Sequence, residues 1–247
     1  MQQEEKKIST GRAVGMCFGD MPSNERLRPA GHAKIDLSVK WVYRQEDGLY
    51  LQSRYGVLRL SPVKSDVIRV TFTREGQPKK NVHRKIALRE TEKFWMYRET
   101  GSIVELVTDE LCLEVDKQTG AIRYRNRDKK LLLEERKQEC RQIDPAGEGM
   151  TWVFFERQKG EKLYAPGTAG AEGLTLNGSA RYIQPSTSEK TLPSVVSDQG
   201  YCLFAATDKP VIFCDIPAYG SYLAVEGEKQ LDYYFSLIRS SSSIFVS

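Results

Sequence analysis

Apolar residues recur at every second position along most of this chain, and that period confines it to strands with one buried face. Leu49 and Leu51 alternate with Tyr50 and Gln52, and Ile68, Val70 and Phe72 with Arg69, Thr71 and Thr73. Leu111, Leu113 and Val115 alternate with Cys112, Glu114 and Asp116, and Ile122 and Tyr124 with Arg123 and Arg125. Turn residues separate the runs. Glu46-Asp47-Gly48 parts two strand patterns, and Asp-Gly supplies the positive φ angles of a tight hairpin. Asp116 to Gly120 joins runs 111–115 and 121–125, and Asn126-Arg127-Asp128 turns the chain into Leu131-Leu132-Leu133. Further runs are Trp152 to Phe155, Val195 to Val196, Tyr201 to Ala206, Val211 to Cys214, Tyr219 to Val225 and Leu231 to Phe235. About a dozen short strands between turn signals predict an all-β sandwich.

Helical patterns are scarce. Residues 83–93 have helix-forming composition with poor apolar spacing. Leu131 to Cys140 reads as either helix or buried strand. Three regions follow: an irregular arm over residues 1–36, a sandwich over 37–235, and a frayed or truncated tail over 236–247, which includes four consecutive serines. The arm is expected to pack against the body.

Charge and length exclude several functions. Lys plus Arg number 37 and Asp plus Glu 33, a net charge of +4 that is too small and dispersed to point to nucleic acid or an anionic membrane. No apolar run approaches the ~20 residues of a membrane span. The polar start, Met1-Gln2-Gln3-Glu4-Glu5, has no secretory apolar core, and five scattered cysteines fit a reducing compartment, so a cytoplasmic location is expected. No cysteine pair has Cys-x-x-Cys spacing, and His32 and His83 are far apart, so neither a metal nor another cofactor is expected.

Catalytic constellations are missing too. There is no Walker-type loop and no Gly-x-Ser-x-Gly elbow, and Gly167-Thr168-Ala169-Gly170 precedes no helical pattern. A retaining glycosidase needs two carboxyls about 5–5.5 Å apart. Asp109-Glu110 and Glu134-Glu135 are adjacent, and neighbours in a strand point to opposite faces. They read as solvated charges. The tyrosines and tryptophans spread over the strands read mostly as sandwich filling, although an exposed ring could stack on a sugar.

The order of the segments resembles the amino-terminal β-sandwich of glycoside hydrolase family 31. Gly56-Val57-Leu58-Arg59-Leu60 and Val67-Ile68-Arg69-Val70 stand where that domain has "G-x-L-R-L" and "V-I-R-V", and Leu106 to Glu135 resembles its next hairpins. Glu161-Lys162-Leu163-Tyr164, Leu176-Asn177-Gly178, Leu192-Pro193-Ser194 with Gly200-Tyr201, and Asp232-Tyr233-Tyr234-Phe235 follow in the family's order. The resemblance spans residues 39–235 and implies a galactose-mutarotase-like β-supersandwich.

In the family this sandwich precedes a (β/α)8 barrel whose aspartates cleave α-linked glucosides or xylosides. Here only Ser236 to Ser247 follow the "D-Y-Y-F" segment. The resemblance therefore implies a domain fragment with no catalytic residue of its own, whose partner is such a barrel. It also implies a sugar-cleft loop after the "L-N-x-x-G" strand, with Tyr182, Gln184 and Ser186 as candidates. Gln184 aligns with a family Gln, but Ser186 replaces the usual Asn or Asp. The "Y-G-L-G" segment has become Tyr164-Ala165-Pro166-Gly167.

Two other functions compete. One is a stand-alone carbohydrate-binding module. The other is an aldose mutarotase or epimerase, which needs a His with an acid near the ring oxygen. His32 falls in the arm and His83 in a basic turn. A sandwich lacking its barrel is also expected to expose an apolar face and form a homodimer, with Tyr219, Tyr222 and Tyr233 as candidates for that face.

Overall fold

The computed structural model describes residues 27, 35–87, 91–144, 149–164, 175–185 and 192–241. The described residues form two antiparallel sheets. The first half of the chain gives β1 (Trp41–Gln45), β2 (Gly48–Gln52), β3 (Val57–Lys64), β4 (Val67–Thr73), β5 (Met96–Glu99), β6 (Ile103–Val107), β7 (Leu111–Asp116), β8 (Ile122–Asn126) and β9 (Leu131–Glu135). The second gives β10 (Arg141–Ile143), β11 (Met150–Glu156), β12 (Leu163–Tyr164), β13 (Ala180–Ile183), β14 (Ser194–Ser197), β15 (Tyr201–Ala205), β16 (Val211–Ile216), β17 (Gly220–Glu226), β18 (Gln230–Leu237) and the short helix α1 (Ile238–Ser241).

The eight-stranded sheet runs β1-β2-β3-β4-β18-β15-β14-β12. The ten-stranded sheet runs β13-β16-β17-β11-β9-β8-β7-β6-β5, with β10 added on β11. The all-β expectation holds, but the described residues alone form eighteen strands where about a dozen were expected. The extra ones include β5, β10, β12 and β13, each of four residues or fewer, too short to print an alternation. Leu131-Leu132-Leu133 opens a strand, and no helix occurs among the described residues of 83–93. The last strand runs two residues past 235 before α1 begins.

The inner faces of the two sheets share one core. Ile68, Val70 and Phe72 of β4 and Leu231, Tyr233 and Phe235 of β18 meet Val153 and Phe155 of β11 and Leu223 and Val225 of β17. At about 1.5–3 kcal/mol for each large apolar side chain removed from water, this layer is the main stabilising term. The outer faces are apolar in part as well. Trp152, Phe154, Ile212, Tyr222 and Ala224 cluster outside the ten-stranded sheet, where Leu27 is buried and its carbonyl accepts the Tyr222 hydroxyl at 2.7 Å. Val67, Phe204 and Tyr234 cluster outside the eight-stranded sheet beneath Ile86 and Leu192.

Those covers correct the one-buried-face reading of β4, which is buried along its whole length. Arg69 has its side chain 3% exposed because Asp232 and the carbonyls of Lys80 and Asn81 take its donors. Tyr222 and Tyr233 do not form an exposed face either. They are 2% and 0% exposed, the first under Leu27 and the second between the sheets.

The β1–β2 hairpin forms where expected, with Gln45 opposite Gly48. Its turn chemistry differs from the expectation: Gly48 has φ +146° while Asp47 keeps a negative φ. Glycine is required there because a Cβ would stand 2.3 Å from the Leu60 carbonyl oxygen of β3. Gly120 fits its expected place, with φ +73° at the β7–β8 turn.

Candidate functional site

The candidate loop leaves the sandwich from β13, the outermost strand of the ten-stranded sheet. Register with β16 sets Tyr182 opposite Ile212, on the outer apolar cluster. Its ring is half-buried there, and its hydroxyl donates to Glu226 Oε2 at 2.8 Å. Gln184 is exposed just beyond the strand. Ser186 lies outside the described residues. The structure thus places Tyr182 and Gln184 at one end of the molecule, but Tyr182 is engaged in packing.

Beside this edge is a buried polar lattice that the sequence did not single out. Glu161 has a fully buried side chain. Its Oε1 accepts the hydroxyls of Ser197 at 2.5 Å and Tyr201 at 2.6 Å. Its Oε2 accepts Arg157 Nε at 2.9 Å and the Gln158 amide at 3.1 Å. Arg157 also pairs with Asp215 at 3.3 Å. Asn177 Nδ2 donates to the Glu161 carbonyl at 2.8 Å, and Asn177 Oδ1 accepts the Leu163 amide at 3.0 Å. Burial, with the Glu161 carboxylate next, holds the Tyr201 hydroxyl well above the ordinary tyrosine range. With four donors on its two oxygens, Glu161 has no capacity left to take a substrate proton. It positions β12, β14 and β15. The only sequence signal was its place at the head of the Glu161-Lys162-Leu163-Tyr164 segment.

A second enclosed carboxylate sits between the sheets. Glu135 pairs with Arg141, accepts the Ile122 amide at 2.9 Å and accepts the Tyr233 hydroxyl at 3.0 Å, which in turn meets the Tyr124 hydroxyl at 2.6 Å. Burial raises the Glu135 carboxyl above its usual range, with Arg141 opposing. Glu134 and Glu135 do point to opposite faces, but Glu135 is 1% exposed rather than solvated. Arg141 was the missing information, six residues on and in another strand.

His83 stands 3.2 Å from Asp208, a pairing not visible in the sequence. Arg84 at 3.0 Å and Lys85 at 3.5 Å share that carboxylate. Burial would raise Asp208, but His83, Arg84 and Lys85 together hold it below the usual carboxylate range. A carboxylate crowded by cations is a poor proton acceptor for mutarotation.

Cys112 lies within ligand distance of Glu105 and Glu114. Glu114 is already bound by Arg123 at 3.2 Å and Arg125 at 2.9 Å, and Lys129 Nζ donates to the thiol at 3.5 Å. Cations of the chain thus already engage the thiol and one carboxylate of this group. A wide groove of about 670 Å³ is lined by Glu134, Arg136, Lys137, Gln138, Glu139 and Glu156, with no aromatic ring to stack on a sugar. A cavity of about 110 Å³ beside Lys79, Thr207 and Gln230 is well below the ~300 Å³ of small-molecule sites.

No protein-family profile matches the chain, and no curated protein does. Solved structures do. The fold superposes on a GH31 dextranase of Flavobacterium johnsoniae with a TM-score of 0.69 at 15% identity, over 83% of this chain and 27% of that one. It superposes on a GH31 alpha-xylosidase from a soil metagenome with a TM-score of 0.65 at 18% identity, over 80% and 32% of the two chains. A cycloalternan-forming enzyme of Listeria monocytogenes gives 0.66 at 15% identity, over 83% and 21%. The chain therefore spans between a fifth and a third of these proteins' length. The resemblance to family 31 holds at the level of fold.

Proposed function

We propose that this chain is a non-catalytic sandwich module of the family 31 α-glycosidase type, built to pack on a (β/α)8 barrel and complete its sugar cleft. One observation carries the reading: a fold shared with part of a dextranase and an alpha-xylosidase, in which the buried carboxylates Glu135 and Glu161 are saturated by internal donors. The reacting acids would then belong to the barrel. The four described cysteines are free and buried, which supports a reducing, cytoplasmic setting.

The test is hydrolysis by the purified chain. No release of nitrophenol from aryl α-glucosides or α-xylosides is expected, and turnover that survives re-purification would overturn the reading. Anomer exchange of glucose followed by NMR should match the buffer rate; acceleration lost in His83→Ala would favour a mutarotase instead.

A stand-alone sugar-binding role has one observation of its own: Trp41 is 69% exposed on β1 and offers an open ring face. Calorimetric titration with isomalto-, malto- and xylo-oligosaccharides separates the two readings. Heat of binding that disappears in Trp41→Ala would favour the stand-alone module.

A further inference from the structure

The chain has four asparagines, at 24, 81, 126 and 177, and Asn177 alone is followed by glycine. That dipeptide carries chemistry of its own. Asparagine is thermolabile, because the next backbone nitrogen can attack its side-chain carbonyl carbon. A following glycine has no Cβ to hinder the approach and lets the backbone take up the angles that attack requires.

Asn177 and Gly178 form an exposed turn between the Tyr164–Thr175 bridge and β13, so water reaches both. The fold nevertheless engages each group that the reaction would use. The Gly178 N–H donates to the Asp215 carbonyl of β16 at 3.0 Å. Asn177 Oδ1 accepts the Leu163 amide at 3.0 Å, and Asn177 Nδ2 donates to the Glu161 carbonyl at 2.8 Å. Attack needs the Gly178 nitrogen stripped of its proton, and the Asn177 amide free to turn its carbon toward that nitrogen. Both conditions require the 176–179 turn to lift from β12 and β16. The turn has further closures: the Asp215 amide donates to the Ser179 carbonyl at 2.9 Å, and Ser179 Oγ donates to the Leu176 carbonyl at 2.8 Å.

We propose that Asn177-Gly178 is a deamidation site gated by this turn, and that reaction there unlatches β12 from the segment entering β13. In the open turn the Gly178 nitrogen loses its proton and bonds to Asn177 Cγ. The Cγ–Nδ2 bond breaks, and the amide nitrogen leaves with that proton as ammonia. Water then opens the cyclic imide at either carbonyl, giving aspartate or isoaspartate. Neither product restores the closed turn. The Nδ2 donor is gone, and an anionic oxygen stands in its place against the Glu161 carbonyl oxygen. Isoaspartate also adds a carbon to the backbone, which moves the Gly178 nitrogen off Asp215. A passing opening is thereby converted into a permanent mark beside the strand that carries Tyr182. The proposal is independent of the glycosidase reading.

The whole chain is incubated natively and in urea at one pH and temperature, and peptide mass spectrometry follows amide-to-acid conversion at each asparagine. Asn177 should convert first in urea, and at least about tenfold more slowly in the native protein, where reaction waits for local opening. Another asparagine converting first in urea, or equal native and urea rates at Asn177, would overturn the proposal. Ser179→Ala removes one closure and should raise the native rate by about threefold or more, with the urea rate unchanged. Val104→Ala, which lowers stability at the far flank, should leave the native rate nearer to wild type; an equal rise in both variants would assign the gate to global unfolding and overturn the turn's role. Converted protein, separated by its added negative charge, and Asn177→Asp should both exchange the Leu176 and Gly178 amide hydrogens faster than wild type. Unchanged exchange would overturn the unlatching.

Discussion

The two flanks of the sandwich finish their sheets in opposite ways. At the β12/β13 flank, Glu161, Arg157, Asn177 and Asp215 tie β12, β14, β15 and β16 together through enclosed polar bonds. At the β1/β5 flank, the sheets meet through Arg44, whose guanidinium lies 4.2 Å over the Trp95 ring, and both terminal strands are largely exposed. At the first flank the buried donors and acceptors are used internally. At the second flank Phe94, Trp41 and Met96 are exposed, while Trp95 is buried under Arg44. The first flank is held by internal polar bonds, and the second by apolar and ring contacts.

The sharpest way to break this contrast is at Glu161. Glu161→Ala leaves the largely enclosed Arg157 with only Asp215 as a carboxylate partner and orphans the Ser197 and Tyr201 hydroxyls. The expected loss is about 3–5 kcal/mol in urea unfolding; a loss under 1 kcal/mol would mean that the lattice is ornamental. Asn177→Ala removes two bonds that hold β12 and should cost about 1–3 kcal/mol in the same measurement.

The bare flank has an electrostatic anchor at the β1–β2 turn. Asp47 pairs with Lys80 at 3.1 Å and Arg59 at 3.2 Å and accepts the Tyr50 hydroxyl at 3.0 Å. Burial pulls its carboxyl upward, but Lys80, Tyr50 and Arg59 together hold it below its ordinary 3.8. A carboxyl lowered on folding contributes stability above its unfolded pKa and loses it as pH falls through the folded value. Acid unfolding of wild type should therefore include a component below about pH 3.8 that is absent from Asp47→Asn. Equal acid sensitivity in the two proteins would remove Asp47 from the account. The smallest effect belongs to Trp41→Ala. With a ring 69% exposed, its stability should stay within about 0.5 kcal/mol of wild type.

Much of the fold was legible because alternation and turn residues are local. β7, β8 and their Gly120 turn could be read directly, as could β18 through Asp232-Tyr233-Tyr234-Phe235. The short strands were not, because Arg141-Gln142-Ile143 becomes β10 only by pairing with β11. The site was less legible still. Tyr182 and Gln184 could be named, but whether Tyr182 faces a cleft or packs on Ile212 depends on the neighbouring strand.

The sequence by itself determined the kind of element, since a period of two requires only the geometry of an extended backbone. Which polar residues of a strand meet water was decided by tertiary structure. Arg69 looks like a solvent-facing neighbour of Ile68 and Val70, yet it is buried against Asp232, 163 residues away. Glu135 looks like Glu134, yet it sits between two sheets because Arg141, Tyr233 and the Ile122 amide converge on it. A buried charge is tolerable only where partners converge on it, and here those partners come from strands that the chain order does not place together.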